Sequence, residues 1–418
     1  MALRGSLLSE TGKRVLFASS HNSYSCSVAT GLNDWNGKLG SDVETPLSIY
    51  LHVPFCASRC GYCDFNTYTA DELGGFGFNE YVAAVHQEIA SAKRALTAPP
   101  QAATVFFGGG TPSLLSGEQF AEILDDIRET FGLKSDAEVT TEANPESVTP
   151  ELCHKLVAAG VNRLSLGMQS AVPHVLRTLD RVHTPLRALE VVQMAKESGI
   201  EQVSLDLIFG TPGESLADWE ESLARALDVQ PDHLSAYSLI VEDGTRLAKR
   251  ITRGDLPMTS EDDLADKYLL AEEMLTTAGY ENYEISNWAT SPSTRSQHNL
   301  AYWRGYNWWG FGPGAHSHVH GTRWWNLKLP RKWGERLQNG LSPLQGSEVL
   351  TPAEKHVERV LLELRISDGL PVSVLSEAEL ERARNLVSRG LILEDDEHLK
   401  LTLQGRLLAD AVTLEVLG

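Results

Sequence analysis

Cysteine is scarce in this chain. Of 418 residues only five are Cys, and three of those fall within the stretch Cys56 to Cys63. Thiols this few, odd in number and clustered exclude a disulfide framework. Basic residues are outnumbered: 36 Lys and Arg stand against 56 Asp and Glu, a net charge of −20. That balance argues against nonspecific nucleic-acid binding, RNA included, and against a polybasic membrane anchor. Long apolar runs are missing, so no integral membrane segment is expected. The N-terminus also lacks the contiguous apolar region of a secretory signal and carries Glu10, Lys13 and Arg14. A reduced cytoplasmic location fits these absences.

Three thiols close together are what is there instead. Cys56-Ala57-Ser58-Arg59-Cys60-Gly61-Tyr62-Cys63 follows an apolar, strand-like stretch at residues 48–54. One short loop with three thiolates can ligate three irons of an iron–sulfur cube and leave the fourth iron open to an outside ligand. Thiolate softness alone does not separate such a cluster from zinc. Structural zinc wants four closed ligands, however, and no second CxxC pair supplies them. His52 is the remaining candidate for a fourth zinc ligand, but it falls within the strand, where packing or support of the site is the simpler role. Cys26 and Cys153 stand alone, and Cys153 reads as a buried helix residue.

Past an N-terminal extension at 1–46, rich in Ser, Asn, Gly and Asp and read as partly disordered, strand and helix alternate. Strands are expected at 48–54, 104–107, 137–141, 163–166, 202–209 and 233–240. Helices are expected at 80–94, 116–131, 149–159, 184–198, 215–228 and 261–278. Such alternation means βαβ units and a parallel sheet. The fold class is therefore α/β, a partial (β/α)6 barrel over 47–280. An open doubly wound sheet is the alternative, disfavoured because no GxGxxG follows the first strand. Residues 281–345 form an aromatic-rich segment, expected to close the barrel; six of the nine tryptophans lie between 280 and 326. After a helix near 330–338, residues 346–418 read as a small winged-helix-like α+β domain with strands at 391–394 and 398–403. Glu394, Asp395, Asp396 and Glu397 at its turn argue against DNA binding and for a docking or structural role.

Parallel barrels gather function at the carboxyl ends of their strands, and polar or glycine residues stand at each of them here. Gly108-Gly109-Gly110-Thr111-Pro112 follows the second strand, where missing side chains admit a ligand's polar end. Glu142 follows the third, placed to accept hydrogen bonds from ribose hydroxyls. Gln169 ends the fourth with Arg181 beyond it, and Asp206 lies in the fifth. Singly, each is equally read as a satisfied polar group or a helix cap.

Together these features resemble a radical S-adenosylmethionine (SAM) protein. The spelling LHVPFCASRCGYCDFN, GGGTPS, RLSLGMQS, DLIFGTPG and YEISNWA is similar to the oxygen-independent coproporphyrinogen III oxidase family across roughly residues 47–410. The resemblance implies a [4Fe–4S] cluster on Cys56, Cys60 and Cys63, with SAM on the open iron. It places Tyr50 and Tyr62 beside the cofactor and Gly109, Gly110 and Thr111 at its methionine end. Glu142, Gln169, Arg181 and Asp206 would surround ribose and adenine. Two features separate branches of the family. Oxidases extend the motif to CxxxCxxCxC, whereas Phe65 stands here, which puts the decarboxylation of coproporphyrinogen III to protoporphyrinogen IX in doubt. Second, His298-Asn299-Leu300-Ala301-Tyr302-Trp303 is similar to the HNxxYW motif of HemW-type haem chaperones. That resemblance implies haem as a third cofactor, bound by His298, Asn299, Tyr302 and Trp303. It also implies transfer to a haem-acceptor protein, for example a respiratory enzyme. An external reductant for the cluster follows, and a homodimer is compatible. An imidazole beside a broad aromatic surface is what haem requires; an aromatic segment closing a barrel would look the same without haem. His316, His318 and His320 alternate nearby, read as structural, as lining the cofactor site, or as a further iron ligand.

Overall fold

The computed structural model describes residues 45–95, 100–181, 184 and 186–418. Most of the N-terminal extension, with Cys26, therefore lies outside the described residues. Strands β1 (Leu47–Val53), β2 (Ala102–Gly109), β3 (Leu133–Ala143), β4 (Arg163–Gln169), β5 (Gln202–Phe209) and β6 (His233–Ser238) alternate with helices. These are α1 (Phe78–Ala95), α2 (Gly117–Thr130), α3 (Pro150–Ala159), α4 (Pro173–Thr178), α5 (Arg187–Glu197) and α6 (Leu216–Asp228), then α7 (Arg246–Thr252) and α8 (Glu261–Thr277) after β6. Period-two patterning explains the strands. In β1, Leu47, Ile49, Leu51 and Val53 are fully buried, while Ser48, Tyr50 and His52 alternate toward the other face. Each such aliphatic side chain contributes roughly 2 kcal/mol on burial. Helix starts are set locally: Ser116 with Gln119 and Ser215 with Asp218 form capping boxes at α2 and α6.

Strand order decides between the two architectures. β1 to β6 are neighbours in chain order and each consecutive pair is parallel. Every crossover therefore moves the same way, keeping helices on one face and curling the sheet into a half-barrel. A doubly wound sheet would reverse direction partway.

The aromatic segment does not join β6 to β1. Its strands β7 (Glu281–Glu284) and β8 (Asn287–Ala289) extend the β6 edge. After helix α9 (Gln297–Trp303), strands β9 (Asn307–Phe311), β10 (His316–Val319), β11 (Thr322–Asn326) and, beyond helix α10 (Pro330–Gln338), β12 (Leu344–Val349) extend the β1 edge. Between the edges the chain crosses the amino ends of the strands one by one. Gln202 of β5 donates to the Ser293 carbonyl at 3.1 Å and Arg163 of β4 to that of Thr294 at 2.9 Å. Glu138 of β3 accepts the N–H groups of Gln297 (2.8 Å) and His298 (3.0 Å) at the start of α9, where a carboxylate complements the exposed amides. Thr104 of β2 meets His298, and β9 then pairs parallel with β1. This segment is the floor of the half-barrel.

Helices α11 (Pro352–Glu363) and α12 (Glu377–Ser388) follow, with strands β13 (Leu370–Pro371), β14 (Ile392–Glu394) and β15 (His398–Leu401) in an antiparallel sheet ordered β13-β15-β14. Helices α13 (Leu403–Leu407) and α14 (Ala409–Leu417) end the chain. This unit has its own core around Val360, Leu370, Leu386, Leu399 and Val412. Arg406 fastens it to α8 through a bidentate pair with Glu272 at 2.6 and 3.0 Å.

Candidate functional site

The cysteine loop leaves the carboxyl end of β1 and is tied on three sides. Cys56 N–H donates to the Tyr68 carbonyl at 3.0 Å, Gly61 N–H to that of Leu179 at 2.9 Å, and Leu247 N–H of α7 to that of Gly61 at 2.9 Å. The glycine-rich turn after β2 braces its base: Gly110 N–H donates to Val53 O at 2.8 Å and Thr111 N–H to Phe55 O at 2.7 Å. Cys56, Cys60 and Cys63 are half-buried and free of disulfides. Burial pushes the thiol of Cys56 up and that of Cys63 to about 11. Donors aimed at the sulfurs oppose that shift. Thr111 Oγ1 lies 3.9 Å from Cys56 Sγ, and Arg181 donates to Cys60 Sγ at 3.4 Å. The Thr67 hydroxyl favours both Cys56 and Cys63 thiolates; it is buried and has no oxygen or nitrogen partner.

A half-buried thiol trio ringed by donors suits a sulfur-ligated cluster better than a closed zinc site. His52 is not a fourth ligand: its Nε2 donates to the Asn66 carbonyl at 2.9 Å, so Nδ1 accepts the Tyr50 hydroxyl at 3.0 Å. Among the described residues no three His, Cys, Asp or Glu side chains are gathered for a single metal ion. A cube of four irons spaces its sulfur ligands more widely than one ion does. Cys153 is buried in α3, as expected of a packing residue.

Around the mouth, Glu142 accepts Gly109 N–H at 3.0 Å, and burial raises its pKa. Gln169 sits at a bulge in β4 with φ of 64°. Arg181 bridges the cysteine loop and β4, donating also to the Gly167 carbonyl at 3.1 Å. Asp206 is held deeper: Ser165 and Ser235 each donate to one of its carboxylate oxygens at 2.7 Å. Burial nevertheless raises its pKa, and those two hydroxyls oppose the shift. The structure thus brings Tyr62, Gly109–Thr111, Glu142, Gln169 and Arg181 to one end of the half-barrel, with Asp206 beneath them, its oxygens occupied; Tyr50 lies midway along β1, its ring 6.3 Å from that of Phe106 and 6.4 Å from that of His298.

His298 is elsewhere. It lies in the floor, 2% exposed, with Nδ1 2.6 Å from the Thr104 hydroxyl and Nε2 3.0 Å from that of Tyr302. Phe106 stacks on it at 4.9 Å, and burial drives its pKa well below the usual imidazole range. Asn299 Nδ2 donates to Glu284 at 3.3 Å, and Trp303 packs with Tyr283, Leu300 and Ile366. His298 and Tyr302 thus belong to one hydrogen-bonded pair closed by Thr104, with Asn299 and Trp303 engaged separately beside it, and His298 turns no free nitrogen to solvent in this conformation.

Residues 50–226 match the model of the radical SAM superfamily. Over 373 residues the chain is 49% identical to the heme chaperone HemW of Mycobacterium tuberculosis H37Rv, covering 89% of this chain and 95% of that protein. The chain belongs to the HemW family. The Bacillus subtilis heme chaperone HemW is 35% identical over 89% of this chain and 99% of its own length. A Danio rerio relative, radical S-adenosyl methionine domain-containing protein 1, mitochondrial, is 31% identical over 88% of this chain and 86% of its own. In fold, the Escherichia coli coproporphyrinogen III oxidase HemN superposes with a TM-score of 0.77, covering 90% of this chain and 91% of that one at 24% identity. Radical SAM membership implies a [4Fe–4S] cluster and SAM.

Several supports of the mouth escape a reading of spacing. Gly167 is one: a methyl there would come within 2.7 Å of Gln169 Nε2 and 2.8 Å of Arg181 Nη2, so its bareness makes room for both side chains. Glu214 is another, buried while accepting Gly210 N–H at 2.7 Å and so fixing the turn after β5. Thr67 and Ser235 carry no motif, and Ser165 falls inside RLSLGMQS without a role of its own. Only the alternation of serine with apolar residues in β4 and β6 hints that those hydroxyls face inward.

Proposed function

We propose that this protein is a haem chaperone that binds haem and passes it to an acceptor protein, on a scaffold holding a [4Fe–4S] cluster and SAM. The observation that carries the reading is near full-length similarity to a protein named for that activity. Phe65, 47% exposed, stands where the oxidases carry their additional cysteine, and this supports the same choice. Cys56, Cys60 and Cys63 would ligate three irons. Bound there, the cluster supplies one-electron chemistry, fed by an external reductant, and an open iron for SAM. Arg181 hydrogen-bonds the Cys60 sulfur and links it to β4, and the Thr111 hydroxyl faces the Cys56 sulfur. Tyr50, Tyr62, Gly109 and Gly110 would line the methionine end, and Glu142, Gln169 and Asp206 the nucleoside. For His298 to ligate haem, as the motif implies, one ring nitrogen must leave its hydroxyl partner, Thr104 or Tyr302, and the ring must come out from beside Phe106.

Anaerobic titration of haem into wild type and His298→Ala, followed by mixing with a haem-free acceptor, tests the proposal. Haem uptake with an intense Soret band and its movement to the acceptor are expected. No uptake by the wild type, or anoxic conversion of coproporphyrinogen III to a vinyl-bearing product, would overturn it.

A further inference from the structure

The cysteine loop is closed at its neck. Tyr68 N–H donates to the Pro54 carbonyl at 2.8 Å and Cys56 N–H to that of Tyr68 at 3.0 Å, so residues 56–68 form one loop that begins and ends side by side. Thr67 stands just inside that neck. Its N–H donates to the Phe65 carbonyl at 2.7 Å, and its own carbonyl accepts Arg59 Nη2. The main chain of Thr67 is thus bonded on both sides, and a β-branched side chain on a fixed backbone has few rotamers.

The hydroxyl is placed differently from the main chain. Thr67 is 2% exposed, in a loop whose three cysteines are only half-buried, and its Oγ1 has no hydrogen-bond partner. A buried hydroxyl left unpaired costs stability, and in a folded protein such a group points to an ion, a water or a redox centre that completes it. The groups it acts on are the sulfurs of Cys56 and Cys63. Side-chain donors are otherwise shared out singly, Arg181 to Cys60 and Thr111 to Cys56; Thr67 is common to two of the three sulfurs. Thr140 in β3 is an equally partnerless buried hydroxyl, but it pairs across the sheet with Phe106 and Arg163, toward the amino ends of the strands and away from the loop.

From this arrangement we infer that the Thr67 hydroxyl is a hydrogen-bond donor to the Cys56 and Cys63 side of the bound cluster, and so sets how readily the cluster takes an electron. The assignment rests on these cysteines holding the [4Fe–4S] cluster. A donor to sulfur offsets the negative charge that reduction adds, so it favours the reduced form. Loading the site gives the hydroxyl the partner it lacks.

The test uses the anaerobically reconstituted full chain, with iron counted and the cluster followed by electron paramagnetic resonance during a redox titration. Thr67→Val keeps the shape and removes the hydroxyl. At a potential that half-reduces the wild type, its reduced-to-oxidised ratio should fall about tenfold, the scale of one hydrogen bond to a charged group. Thr67→Ser restores the donor and should titrate like the wild type, and Thr140→Val should leave the midpoint where it is. The midpoint is read on the fraction that carries cluster, so partial iron loss in Thr67→Val leaves the comparison intact. Thr67→Ala repeats the reading where Thr67→Val loads no iron, and loading that survives in Thr67→Ser but in neither of the other two upholds the contact. A Thr67→Val midpoint equal to that of the wild type would overturn the inference. So would iron loss in Thr67→Val and Thr67→Ser alike, which makes Thr67 a packing residue. A wild type that assembles no four-iron cluster removes the reading beneath it.

Discussion

Gly110 is the position where a single methyl group should separate the cluster loop from its support. A Cβ there would overlap the Phe55 carbonyl oxygen and stand 3.0 Å from that of Val53, both main-chain atoms that cannot rotate aside. The backbone must part by roughly 1 Å, an overpacking cost of about 1–3 kcal/mol. The hydrogen bonds of Gly110 N–H and Thr111 N–H to β1 weaken with it, at about 1 kcal/mol net each. Gly110→Ala is therefore expected to lose about 2–4 kcal/mol in urea unfolding, and to retain less iron after anaerobic reconstitution because Cys56 shifts. Gly167→Ala is the internal comparison. Its methyl meets only the mobile ends of Gln169 and Arg181, so stability should change by no more than about 0.5 kcal/mol. SAM affinity should fall all the same, because Arg181 is pushed from Cys60. Both variants are read by denaturant midpoint, iron per chain and anaerobic calorimetry with SAM. A Gly110→Ala protein as stable and iron-rich as wild type, or a Gly167→Ala protein equally destabilised, would refute the reasoning.

Arg181→Gln removes charge-assisted bonds to Cys60 and Gly167, and SAM binding measured by calorimetry should weaken roughly tenfold. Burial lowers the His52 pKa to about 4. Its folded form therefore stays neutral while the unfolded chain takes up a proton near 6.5. The stability so contributed is full above pH 6.5 and is lost as pH falls toward 4, by roughly 3 kcal/mol. His52→Gln should flatten the unfolding midpoint across that window. Thr104→Val strands His298 Nδ1 and should cost about 1–3 kcal/mol by urea unfolding. Thr140→Val removes a buried hydroxyl that has no partner, and should be neutral or stabilising in the same assay.

Much of the half-barrel could be read before any coordinates, because each βα unit is written locally. The fifth strand lies at Gln202–Phe209 and the α10 helix at Pro330–Gln338, as periodicity and caps predict, and the other main elements differ by a few residues at their ends. Short helices α4 and α7, with six and seven residues, fall below the length at which a 3.6-residue period can be seen. Pairing of Asn307–Phe311 with β1 had no signal either. Its partner is 260 residues away, and a five-residue aromatic run fits a strand, a loop or a binding face equally. The candidate mouth was legible because polar and glycine residues recur at successive strand ends beside the cysteine loop, although any one of them could serve a turn. His298 shows the limit: its motif names a chemistry, but whether an imidazole faces solvent or lies under Phe106 depends on which way a seven-residue helix is rolled.

The floor segment has a mechanical meaning. One uninterrupted piece of chain forms both outer margins of the sheet and runs beneath everything between them, bonded to four strands on its way. It works as a drawstring. Lengthening it would let the margins drift apart, and shortening it would pinch them together. The width of the half-barrel's gap is therefore written in the length of a connector that lies at the opposite ends of the strands from Cys56, Cys60 and Cys63.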